Sequence, residues 1–71
     1  TVEERKEKIS SILKKIVTRR KQLGISQTEM ALKVNLSPNG YFKIEKGLTK
    51  LDISRFIEIA EILEIPPKKF F

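Results

Sequence analysis

Two helix-start signals, Ser26-Gln27-Thr28-Glu29 and Ser37-Pro38, stand so close together that the chain between them has room only for one short helix and a tight turn. The first is a capping box: the Ser26 hydroxyl can accept from the Glu29 amide while the Glu29 side chain reaches back. In the second, Ser37 caps and Pro38 takes the first helical position, where a missing N–H costs nothing. The spacing predicts helices over about Gln27–Val34 and Pro38–Lys46, three residues apart. Met30, Ala31 and Val34 share the inward face of the first. Asn35 is a left-handed stop, with Leu36 buried in the turn. Tyr41, Ile44 and Leu48 are expected to face the core from the second, which Gly47 ends. Gly40 inside it costs about 1 kcal/mol relative to Ala, so its place must favour the absence of a side chain.

The flanks are helical too. Ile9, Ile12, Leu13, Ile16 and Val17 follow the spacing of one helix stripe, predicting a long first helix over about Val2–Gln22 that stops at Gly24. Asp52 caps a last helix to about Leu63, with Phe56, Ile57, Ile59, Ala60 and Leu63 as its apolar face. Pro66-Pro67 breaks it and can start one further turn that folds Phe70, and with it Phe71, back on the core. Asn39-Gly40 imitates a hairpin turn, but its flanks carry helical spacing; no segment alternates like a strand. The expectation is an all-α chain with residues 1–71 forming one domain, since 71 residues do not make two cores.

Composition removes several classes of chemistry. There is no Cys and no His, so disulfides, Cys/His zinc sites, thiol nucleophiles and imidazole bases are out. No nucleophile–base pair, metal-ligand cluster or glycine-rich phosphate loop is visible, so neither an enzyme nor a cofactor is expected. No membrane span or signal peptide is apparent, which predicts an intracellular, cytoplasmic protein. The chain opens on Thr1 rather than Met, which leaves open that it is processed or cut from something longer.

Fifteen Lys and Arg stand against nine Asp and Glu, a net charge of +6. The excess lies in the first two thirds of the chain, where a polyanion would bind. On the second short helix Asn39, Phe42, Lys43 and Lys46 form an outward stripe. Asn can bond adenine in two places, Lys can donate to guanine O6 and N7, and Phe can pack on a thymine methyl. Lys46, Thr49 and Lys50 follow at the helix end and loop, placed for phosphates. Two short helices in this arrangement are a helix-turn-helix pattern, over about 27–46, whose second helix can enter a major groove.

Arg20, Leu23-Gly24-Ile25-Ser26-Gln27, Met30-Ala31, Leu36-Ser37, Ile44-Glu45-Lys46-Gly47 and Ile59-Ala60…Leu63 together resemble the Cro/C1-type, or Xre, helix-turn-helix family over about residues 16–70. The resemblance implies a compact five-helix, lambda-repressor-like fold, here with an extended first helix. It implies sequence-specific binding of double-stranded DNA by a transcriptional regulator such as a repressor, usually a homodimer on a two-fold operator. It implies that Gln27, beside Ser26 at the start of the second helix, bonds a phosphate and braces the third. Ser37, Pro38, Asn39 and Lys43 occupy positions that face bases or adjacent phosphates. Arg20 and Glu45 match a pair that forms a structural salt bridge between the first and third helices. Pro38 stands where the family often has a polar base-reader, Gly40 and Phe42 are unusual on a groove-facing helix, and Arg19 occupies a position usually filled by Leu. Pro38, Gly40 and an exposed Phe42 motivate an alternative, an antitoxin-like or other protein-interaction module on the same fold. The ten or so extra residues of the first helix are available to pair two subunits.

Overall fold

Each helix starts on a side-chain cap and ends on a left-handed residue, and these local devices set the order of elements. The computed structural model describes residues 1–71. It contains α1 (Val2–Gln22), α2 (Gln27–Lys33), α3 (Pro38–Glu45) and α4 (Ile53–Leu63), followed by a 3₁₀ turn, Pro67–Phe70, and no strand. Thr1, Ser26, Ser37 and Asp52 each accept from the amide three residues on, at 3.1, 3.0, 3.0 and 2.7 Å. At Ser26 the box is complete, because its own N–H donates to Glu29 Oε1 at 3.2 Å.

The four helices also stop alike. Gly24, Asn35, Gly47 and Glu64 take φ of 72°, 56°, 75° and 60°. The residue after each donates its N–H to a carbonyl five positions back: Ile25 to Arg20, Leu36 to Ala31, Leu48 to Lys43 and Ile65 to Ala60. This is the Schellman closure, which satisfies carbonyls left open at a helix end and usually lays an aliphatic side chain back on the last turns. Ile25, Leu36 and Ile65 are half-buried and pack against the core. Leu48 is 72% exposed, which corrects its expected inward position. Leu13 packs against that turn, its Cδ1 3.5 Å from where a Cβ on Gly47 would stand.

The core is Ile16, Met30, Ala31, Val34, Tyr41, Ile44, Ile59, Ala60, Leu63 and Phe70. At 1.5 Å per residue α1 is about 31 Å long, close to the 35 Å long axis of the molecule. Its second half packs on α3 and α4, while residues 1–11 are exposed. The stripe of α1 is therefore buried only in part, with Ile9 on the surface. On α4 the buried row is Ile59, Ala60 and Leu63, with Phe56 half-buried against it; Ile57 lies outside it, 41% exposed. Phe71 is exposed as well, although its ring meets Phe56 edge-on at 6.1 Å. The implied fifth helix is the 3₁₀ turn: Pro66 and Pro67 withhold two donors, and Lys69 N–H closes on Pro66 O at 2.9 Å. No helix is long and apolar enough to cross a membrane.

Candidate nucleic-acid interface

One buried cluster of charge holds α1, α2 and α3 together. Glu45, near the end of α3, accepts from Arg20 through both oxygens: Nε to Oε2 at 2.7 Å and Nη2 to Oε1 at 3.2 Å. Arg20 Nη1 donates to Ile25 O at 2.8 Å, which pins the α1–α2 loop. Gln27 Nε2, from the first residue of α2, donates to Glu45 Oε1 at 2.9 Å. A planar guanidinium suits this two-point grip on a carboxylate.

The cluster is ionised. Hydrogen bonding to Glu45 holds Arg20 above its ordinary value, against the opposing effect of burial. Burial alone would raise the Glu45 carboxyl, but its neighbours, Arg20 foremost, outweigh burial and hold it below the usual carboxylate range. Tyr41 lies wholly buried beside the pair, its hydroxyl without a hydrogen-bond partner of normal geometry. Burial first, and the Glu45 carboxylate second, push that phenol far above its ordinary range, so it stays neutral.

With Tyr41, Ile44 and Glu45 turned inward, Asn39, Phe42, Lys43 and Lys46 lie along the opposite, exposed face of α3. Phe42 is 38% exposed. The Lys46 ammonium sits 5.5 Å from its ring centroid, a cation–π contact that draws the charge onto the ridge. Pro38 and Ser37 are exposed at the start of the helix. The Ser37 hydroxyl accepts from Gly40 N–H, leaving its own proton to donate outward. A Cβ on Gly40 would stand 3.1 Å from that hydroxyl, so the glycine keeps the cap uncrowded. Ser26 is exposed at the start of α2, and Gln27, half-buried, keeps one amide N–H beyond its bond to Glu45. Thr49 and Lys50 are exposed on the α3–α4 loop.

Not every cation belongs to this face. Arg19, in the place usually filled by Leu, donates through Nε to Leu63 O at 2.9 Å and closes the end of α4. Lys15 Nζ donates to Phe70 O at 3.2 Å. Sequence reasoning passed over Arg55. Its Nη1 donates to Val34 O, at the end of α2, and lies 3.4 Å from Glu58 Oε2, so α4 holds the turn before α3 from behind. No sequence signal marks that contact, because a carbonyl twenty-one positions away has no residue identity to read.

Residues 16–70 match the family model described as Helix-turn-helix (HTH_3). The chain belongs to that family, the Cro/C1-type helix-turn-helix proteins. No curated protein and no solved structure matches it significantly. This HTH_3 domain is a DNA-binding helix-turn-helix of the regulator kind, in a family not typically enzymatic.

Proposed function

We propose that the chain is a sequence-specific transcriptional regulator, a repressor, that works inside the cell as a homodimer and inserts α3 into the major groove of double-stranded DNA. The observation that carries this reading is the pairing of a polar, cationic ridge on one face of α3 with a buried, fully ionised brace on the other. A ridge so held meets base edges with little backbone freedom left to lose on binding. Asn39, Phe42 and Lys43 read bases. Ser26, Gln27, Ser37, Lys46, Thr49 and Lys50 hold phosphates, and Pro38 sets the start of the reading helix against the backbone.

Selection of bound sites from random duplexes, followed by a salt titration on the winning sequence, tests it. Affinity is expected to fall with log salt at a slope of about −0.9 per neutralised phosphate. Lys43→Ala is expected to flatten the preference for one base position. Lys50→Ala is expected to weaken all sequences evenly and to lower the salt slope by about 1. Equal effects of both substitutions on every sequence reject these roles. Exposed Leu32 and Phe42 on α2 and α3 favour a second reading, an antitoxin-like protein-interaction module. It predicts a stoichiometric protein partner and no salt-sensitive DNA binding.

A further inference from the structure

An apolar trough lies where Leu48 is left outside. A groove of about 690 Å³ runs between the first half of α1, the α3–α4 loop and the start of α4, walled by Ile9, Leu48, Ile53 and Phe71 among others. Those four side chains are 55%, 72%, 77% and 82% exposed. Scattered exposed aliphatics are ordinary, but a contiguous set in one trough marks an interaction surface.

We propose that this groove is where a second copy of the chain docks, Leu48 and Ile53 of each copy seated against the groove of the other about a two-fold axis. Three features select a second copy as occupant. The first is charge. A chain of +6 repels its own kind, yet the charged side chains lining this trough are one cation, Lys50, and one anion, Asp52. Opposed copies meet there across a neutral face, whereas an acidic partner would find no excess of positive charge.

The second is area. Aromatic side chains bury roughly 150–250 Å² each and aliphatic ones somewhat less, so the four at these exposures offer on the order of 400–500 Å² per copy. Two opposed copies with their rims thus reach about 1,200 Å², the lower end of a stable interface. The third is position. The groove includes Gly47–Lys50, in the loop that directly follows α3, so copies joined there hold two α3 helices in a fixed relation, as a two-fold DNA site requires. The third feature and the use of the pairing rest on the proposed reading of α3; charge and area do not.

Sedimentation equilibrium over a wide concentration range, without DNA, tests the pairing. The unaltered chain is expected to shift from monomer to dimer as concentration rises. Ile53→Asp and Leu48→Asp are each expected to raise the dimer Kd at least tenfold. Both positions are exposed, and an acidic residue at the start of α4 suits the helix dipole, so an unchanged helical circular dichroism spectrum is expected. Because the chain has no cysteine, Ile53→Cys offers a second readout. It is expected to form an interchain disulfide on oxidation, whereas Glu61→Cys, on the exposed face of α4, is not.

An unaltered chain that remains monomeric overturns the proposal. So does a dimer untouched by both aspartates, which would be built on another face. A monomer that takes up an apolar dye in a manner abolished by Ile53→Asp names a different occupant and overturns it too. Binding of one half-site by a strictly monomeric chain sinks the pairing and leaves the reading of α3 standing. A groove-dependent dimer with no affinity for duplex DNA does the reverse.

Discussion

The turns on either side of α3 are built alike and end differently. Before α3, Asn35 takes the left-handed conformation and Leu36 folds onto the core. After it, Gly47 takes the same conformation and Leu48 points into solvent. The backbone hydrogen bonds are equivalent, Leu36 to Ala31 at 2.9 Å and Leu48 to Lys43 at 2.9 Å. A helix stop is thus a local device, whereas burial of its aliphatic residue depends on how the rest of the chain packs around it. The first turn closes onto the core beside the braced α3. The second leaves an apolar residue in solvent.

The largest test of this contrast removes the brace. Glu45→Ala strands a guanidinium whose side chain is 8% exposed, and breaking a buried pair in this way is expected to cost about 3–5 kcal/mol. Urea denaturation checks it, and a loss below about 1 kcal/mol would mean that the brace is ornamental. The same cluster sets an acid limit. The Glu45 carboxyl lies below its ordinary value of 4.5 in the folded chain, so the folded state holds fewer protons than the unfolded one near that pH. Its contribution is complete above the unfolded value and is lost as pH falls through the lower folded value. Thermal melts in a pH series are expected to show that loss in the unaltered chain and a flatter profile in Glu45→Gln.

A smaller effect separates the two turns directly. Leu36→Ala is expected to destabilise by about 1–2 kcal/mol, the value of a half-buried aliphatic side chain. Leu48→Ala is expected to stay within about 0.5 kcal/mol in the monomer. Equal losses at both positions would erase the contrast. An effect of opposite sign is expected at the end of α4, where Glu64 holds φ of 60° without being glycine or asparagine. Glu64→Gly is expected to raise stability by about 0.5–1 kcal/mol, relief of strain exceeding the added chain entropy. Loss of its contact with Arg19, 4.0 Å long and on an exposed carboxylate, subtracts little.

Much of the candidate interface was legible because its parts are local. Ser26, Ser37 and Asp52 announce helix starts, and Gly24, Asn35 and Gly47 announce stops, each through bonds that reach no further than five residues. The outward ridge of Asn39, Phe42, Lys43 and Lys46 followed from helical spacing once Tyr41 and Ile44 were assigned inward. Glu64 was not legible as a left-handed stop, because a glutamate carries no preference for that conformation and only the chain around it imposes one. Ile57 looked buried because α4 is apolar on more than one side, and spacing cannot say how much of a wide face has a neighbour.

By itself, then, the sequence determined where helices begin and end, how short α2 and α3 must be and which ridge of α3 is polar, since those depend on hydrogen bonds and periodicity within a few turns. Only the tertiary structure decided that Arg19 and Arg55 serve α4 and the turn before α3, and that Leu48 stays outside the core. These outcomes are contests for the same space and the same carbonyls between segments far apart in the chain, and no local pattern records who wins them.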